Sequence, residues 1–205
     1  MHSYFITLEG SEGVGKSTAL SFIKNYFTEK KIDFVVTREP GGTPLGESIR
    51  DLLLNRSDEM VLPETELLLM FAARAQHVAH IIKPALAANK TVISDRFTDA
   101  SFAYQGGGRQ IEVKKIETLA AWIQGDLAPD LTLLLDAPVD IGLSRIESRT
   151  HKDRIEQEKK VFFERVREAY LVRARQFPER FVIIDATQSI DQVQYQIKNA
   201  LDKLK

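Results

Sequence analysis

The chain has 205 residues, 43% of them hydrophobic, with 28 Lys and Arg set against 29 Asp and Glu. That length suffices for one domain with a full core, and a net charge of −1 argues against a general nucleic-acid-binding or membrane-surface protein. The absence of cysteine excludes disulfides and thiolate metal sites and suits a reducing compartment such as the cytoplasm.

Residues 6–18 read ITLEGSEGVGKST. An apolar run leads into G-x-x-x-x-G-K-[ST], the spacing of a phosphate-binding loop, and an amphipathic helical pattern follows. Glycines there let successive backbone N–H groups turn toward phosphate oxygens, and the helix opening near Lys16 adds its positive end. Lys16 suits the β/γ-phosphates and the Ser17 hydroxyl suits Mg²⁺, with Gly10, Ser11, Glu12, Gly13, Val14, Gly15 and Thr18 completing the ATP-binding set.

Short apolar runs at 4–8, 33–37, 91–94, 131–135 and 181–184 alternate with helical pattern. That predicts a doubly wound α/β domain with a parallel sheet covered on both faces. Several runs end in a charged residue: Glu9, Arg38, Asp95, Asp136 and Asp185. Open α/β sheets bind ligands at the carboxyl ends of their strands, so these side chains are expected at the ligand edge. Nothing divides the chain, so one domain over 1–205 is expected. The first ten residues lack the pattern of a signal peptide, and no apolar run is long enough for a membrane span.

After the second run, TREPGGTPLGESIRDLLLN must begin with a turn, because Pro40, Gly41 and Gly42 forbid a helix. Thr43 then reads as an N-cap with Pro44 at the first helical position. Arg38 and Glu39 on that turn suit an anion or a sugar, or else a plain salt bridge. Arg50 sits on the border of an apolar helix face, where a solvated role is the competing reading.

A long helix is predicted over 64–88, apolar around an unusually broad arc, so it must be covered on several sides. One cover could be a second copy, which predicts a homodimer through this helix. Phe71 and Arg74 share a face at i, i+3, as an aromatic plane and a planar guanidinium for a base, or as a core Phe beside a surface Arg. His77 and His80 are also i, i+3, but no third ligand accompanies them and a metal site is not expected.

Asp95 and Arg96 then open DRFTDASFAYQGGGRQ. The Asp suits Mg²⁺ and the Arg suits a phosphoryl group in transfer. Ser101, Tyr104 and Gln105 fall on one helical face, and Gly106, Gly107 and Gly108 are expected to end the helix. Residues 145–175 carry ten Lys and Arg against six Asp and Glu, a basic concentration that predicts a closing lid around 146–157 bearing Arg149 and Arg154. Beyond Lys159 a charged, solvated helix accounts for the pattern. The loop DATQ near the C-terminus is expected beside the base of the phosphate donor.

In order and spacing, EGSEGVGKST, TREPGGT, FAAR, DRFTDASFAYQGGGR, PDLTLLLD and DRIEQE resemble bacterial thymidylate kinases, from about Phe5 to Leu201. The resemblance implies transfer of the γ-phosphoryl group of ATP to dTMP, with Mg²⁺, in a homodimer built on a five-stranded parallel sheet. It implies that Phe71 stacks on thymine, that Arg74 and Gln105 bond the base, and that Tyr104 lies where a 2′-hydroxyl would project. Glu12 would hold the 3′-hydroxyl, Arg38, Arg50 and Arg96 the dTMP phosphate, and Ser101 would complete the acceptor set. Lys16 would follow the transferred group, with Ser17, Asp95 and Glu9 serving Mg²⁺. Gly13 follows Glu12 where some members carry a base, so the chain resembles the members whose catalytic Arg comes from the lid, here Arg149 with Arg154 as partner. Arg145 would lie against adenine. Phe97 stands where Tyr or His is common in the family. Kinases of other nucleoside monophosphates and a non-enzymatic ATP-dependent switch are the rival readings.

Overall fold

The computed structural model describes residues 3–55, 59–147 and 153–204. Strands β1 (Phe5–Glu9), β2 (Phe34–Arg38), β3 (Thr91–Asp95), β4 (Leu131–Asp136) and β5 (Phe181–Asp185) form one parallel sheet in the order β2-β3-β1-β4-β5. Each lies within one residue of an apolar run in the sequence. The helices are α1 (Lys16–Glu29), α2 (Pro44–Leu54), α3 (Pro63–His77), α4 (Lys83–Ala87), α5 (Thr98–Ser101), α6 (Val113–Gln124), α7 (Val139–Glu147), α8 (Lys160–Gln176) and α9 (Ile190–Leu201).

Alternation along the strands divides the core. Leu133 and Leu135 face the side covered by Ile23 and Phe27 of α1 and Ile197 and Leu201 of α9. Leu134 faces the opposite side, against Phe163, Val166 and Tyr170 of α8. Each such fully buried side chain contributes about 1.5–3 kcal/mol, and β1 and β4 are buried nearly throughout while the edge strands β2 and β5 are partly exposed. Parallel register sets Leu8 and Arg38 beside Asp95, so the charged strand ends gather at one edge.

Thr43 caps α2 as expected, its hydroxyl accepting from the Gly46 N–H with Pro44 at the first position. The long helix is continuous over the expected range, but α3 passes into α4 through a π-helical turn, Val78–Ile82.

Two expectations are corrected. The triple glycine does not interrupt the helix before it: α5 runs on into a π-helix, Phe102–Gly108, that takes in all three glycines and ends at the last of them. Their role is close packing. A Cβ on Gly107 would lie 2.6 Å from the Ala169 Cβ, and one on Gly108 would lie 2.4 Å from the Phe162 ring. The basic segment is likewise no simple solvated helix beyond Lys159. Arg167 of α8 pairs with Asp136 at 2.7 Å and Arg173 with Asp99 at 2.9 Å, so its arginines tie α8 to the sheet and to α5.

Candidate active site

The loop 10–17 joins β1 to α1 and lies directly on α7. Gly13 has φ +70°, and a Cβ there would come 2.1 Å from the carbonyl oxygen of Gly142, so neither the backbone angle nor the space admits another residue. This contact brings Arg145 of α7 to the loop, where its Nη1 donates to the Gly13 carbonyl at 3.2 Å. Lys16 curls back, its Nζ donating to the carbonyls of Gly10 (3.0 Å) and Ser11 (2.7 Å). Burial, and then the charge of Arg96, push the Lys16 ammonium down to about 8.

In front of the loop opens a cleft of about 460 Å³. Glu12 to Thr18 form one wall; Arg38, Arg50, Asp95, Arg96, Tyr104 and Gln105 reach it from the other side. Arg96 is its centre. Its backbone sits at φ +70°, a left-handed conformation that costs a non-glycine residue on the order of 1–2 kcal/mol. Its guanidinium donates to Glu12 Oε1 at 2.5 Å and to the Gly10 carbonyl at 3.1 Å, and it lies 4.7 Å from the Tyr104 ring centroid. Tyr104 donates its hydroxyl to the same Glu12 oxygen at 2.9 Å.

Arg38 pairs with Glu47 at 2.7 Å, and Arg50 donates to the Pro40 carbonyl at 2.9 Å across the cis Glu39–Pro40 bond. Burial, then the positive charges of Arg38 and Arg96, lower the pKa of Arg50 despite Glu47. Three cations that repel one another on a cleft wall form a site that an anion stabilises. Asp95 leaves its Oδ1 buried without a hydrogen-bond partner among the described residues. Glu9, at the end of β1, is wholly buried and accepts from the Phe97 N–H and the Tyr170 hydroxyl, both at 2.8 Å. Burial, and then Asp99, push its carboxyl up to about 8.

Beyond the arginines the cleft runs onto α3 and the π-helix. Arg74 is fully buried: Nε donates to Glu39 Oε2 at 2.8 Å, and Nη2 donates to the Phe97 carbonyl (3.2 Å) and the Ser101 hydroxyl (3.0 Å). Its Nη1, like Gln105 Oε1, is buried with no hydrogen-bond partner among the described residues. Ser101 thus holds Arg74, and both lie just behind the cleft wall rather than on it.

The expected position of Phe71 is corrected. Its side chain lies in an apolar cluster with Leu67, Phe102 and Ile116, and the Arg74 guanidinium covers its ring at 4.5 Å. Met70 lines the cleft instead. Residues 66, 70 and 74 form one i, i+4, i+8 stripe, and residue 71 is rotated about 100° from residue 70. The spacing of Phe71 and Arg74 does not reveal which stripe faces inward.

Three further residues organise the site, and sequence reading did not assign them these roles. Glu39 lines the cleft, and its carboxylate is engaged by Arg74 and by His77 Nδ1 at 2.9 Å. His77 is buried and bridges onward to Thr37 at 2.6 Å, whereas His80 is exposed. Glu66 is 1% exposed and gathers Gln105, Arg109 and Arg154. The stripe 66-70-74 was the available signal for it. Arg154 also donates through Nε to the Leu53 carbonyl at 2.8 Å, so this side of the expected lid rests on α2 and α3. Arg149 lies outside the described residues. A second cavity of about 300 Å³, lined by Thr18, Arg145, Ala186, Gln188 and Ile190, adjoins the loop where the DATQ segment was expected.

With the geometry established, relatives can be compared. Residues 8–197 match the family model "Thymidylate kinase". The chain is 55% identical to a thymidylate kinase of Pseudomonas putida over 96% of its own length and 94% of that protein's. It is 53% identical to one from Ectopseudomonas mendocina over 100% and 97%. The crystal structure of the thymidylate kinase from Ehrlichia chaffeensis superposes with a TM-score of 0.80 at 34% identity, covering 98% of this chain and 99% of that one.

Proposed function

The chain belongs to the thymidylate kinase family, and on that premise we propose how its cleft carries out the family's reaction. The protein is a dTMP kinase: it moves the γ-phosphoryl group of ATP to dTMP, giving ADP and dTDP. Breaking the bond between the γ-phosphorus and its bridging oxygen leaves ADP, and a dTMP phosphate oxygen forms the new bond. The protein's part in such a transfer is positioning and charge stabilisation.

One observation carries the assignment of the two phosphate sites. Arg38, Arg50 and Arg96 stand across the cleft from a phosphate loop, close enough to depress the pKa of Arg50. In our reading they bind the dTMP phosphate, and Arg96 also reaches the group in transfer. Lys16 leaves its loop carbonyls to follow that group, while residues 10–18 cradle the ATP phosphates. Arg145, Ala186 and Gln188 lie against adenine. Arg74 Nη1 donates to a base oxygen and Gln105 Oε1 accepts from a base N–H, which matches the O4 and N3–H edge of thymine. Met70, rather than Phe71, supplies the contact to the face of the base. Glu12 holds the 3′-hydroxyl, and Tyr104, fixed by Glu12, occupies the space a 2′-hydroxyl needs. The whole of 1–205 acts as a single kinase domain, working in the cytoplasm.

The residues present suit Mg²⁺. An unpartnered Asp95 oxygen and the Ser17 hydroxyl line the same cleft, and Mg²⁺ at nucleotide sites takes one or two protein ligands alongside phosphate oxygens. Bound there, the ion would neutralise charge on the β- and γ-phosphates. Glu9 stands apart from that pair, because both its oxygens are engaged, by the Phe97 N–H and the Tyr170 hydroxyl; it supports Tyr170 and the backbone at Phe97. A homodimer through the helix 64–88 is supported by Leu68 of α3 (58% exposed) and Trp122 of the adjoining α6 (78% exposed), apolar surface of the kind that interfaces cover.

ADP release with Mg·ATP against dTMP, dUMP, UMP, dCMP, dGMP and AMP tests the site assignment. Strong turnover of dTMP with weak turnover of UMP and dCMP is expected. Preference for UMP over dTMP would remove Tyr104's role, and preference for dCMP would remove those of Arg74 and Gln105. As the catalytic lid Arg, Arg149 predicts that Arg149→Ala lowers kcat about 10³-fold with little change in the KM for dTMP. A kcat within a few-fold of wild type would shift that role to Arg154 or Arg96.

A further inference from the structure

We propose that Glu66 is a positioning residue that sets selectivity for the acceptor base, by fixing which end of the Gln105 amide meets it. The inference rests on the reading of Gln105 as a base contact. An amide side chain can occupy a site in two orientations related by a flip, and only its partners decide between them. Here the partner is a carboxylate. Glu66 Oε1 accepts from Gln105 Nε2 at 2.8 Å, and an ionised carboxylate has no donor to offer the other end of an amide.

The remaining partners keep Glu66 ionised. Burial would raise its carboxyl pKa, but the charge and hydrogen bonds of Arg109, and then the bonds from Gln105 and Arg154, more than offset this and hold it below the usual range. Arg109 Nε approaches both oxygens at 3.2 Å, and Arg154 Nη2 donates to Oε2 at 2.6 Å. With Nε2 committed to Glu66, Oε1 is the buried end without a partner among the described residues.

A fixed, buried acceptor of this kind selects a ring N–H. Thymine and uracil present one at N3. Cytosine presents a lone pair there, so Gln105 Oε1 would meet another acceptor and remain desolvated without a hydrogen bond. Glu66 itself need not touch the nucleotide.

Glu66→Gln keeps the shape and removes the restriction, because residue 66 can then donate as well as accept and Gln105 can turn its amide. The readout is the ratio of kcat/KM for dCMP to that for dTMP, taken on one preparation, so that any loss of folded protein cancels. The ratio is expected to rise about tenfold or more in Glu66→Gln, the scale of one buried hydrogen bond gained or lost. In Arg154→Gln, which removes a partner of Glu66 and leaves its carboxylate, any fall in rate is expected to affect both substrates equally, so that the ratio holds. An unchanged ratio in Glu66→Gln, or an equal rise in Arg154→Gln, overturns the proposal. Wild-type protein that accepts dCMP as readily as dTMP would fail the base-contact reading of Gln105 itself. A selective wild type beside an equally selective Glu66→Gln variant would fail only the present inference.

Discussion

Arg96→Ala is expected to lower kcat/KM for dTMP by about 10³-fold, the scale of removing a preorganised charge from a phosphoryl-transfer site. Arg96 reaches across the cleft to the phosphate loop, through Glu12 at 2.5 Å and the Gly10 carbonyl at 3.1 Å. Its loss therefore removes a phosphate ligand and one of the groups that hold the Glu12 carboxylate, to which Tyr104 also donates. The backbone separates function from strain. Residue 96 sits at φ +70°, an angle that strains Ala as it does Arg but that Gly adopts freely. Arg96→Gly should be as inactive as Arg96→Ala, yet more stable by about 1 kcal/mol, read as a higher denaturation midpoint. Activity within tenfold of wild type in either variant would remove Arg96 from the phosphate site.

Lys16→Ala should cost at least as much, about 10³-fold in kcat/KM for ATP, and wild-type Lys16 leaves a signature in pH. The free protein holds its ammonium down at about 8, through burial first and Arg96 second. The protonated form is the one that can follow a phosphoryl group, and kcat/KM reports ionisations of the free enzyme. The profile for ATP should therefore be level below about pH 8 and fall as pH rises past it. Removing Arg96 removes one of the depressing charges, so the residual activity of Arg96→Ala should show this alkaline limb displaced to higher pH. A limb that stays in place in that variant would assign it to another group. The two measurements together test whether Lys16 and Arg96 act as one electrostatic unit.

Much of this protein is determined by local chemistry and is legible in the chain. The phosphate loop, the five strands and the Thr43–Pro44 helix start each follow from residues adjacent in sequence: a glycine spacing, an apolar run bounded by polar residues, a hydroxyl before a proline. Since strand ends in a parallel sheet share one edge, Asp95, Arg96 and Arg38 could also be placed near the ligand before any coordinates. The family motifs carried the reaction for the same reason.

What only the tertiary structure decided depends on neighbours far apart in the chain. The sequence pairs Phe71 with Arg74 for a base or else buries Phe71 in the core; in the fold Phe71 packs against Phe102 and Ile116, and Met70 lines the cleft. The triple glycine reads as a helix stop until α8 lies against it, where Phe162 and Ala169 leave no room for a Cβ. Glu66 looks like one acid among many on a helix. It becomes the partner of Gln105, Arg109 and Arg154 only when segments some 40 to 90 residues away fold onto it. Periodicity reports which residues share a stripe, and burial of one stripe rather than the next is set by the surface that arrives to cover it.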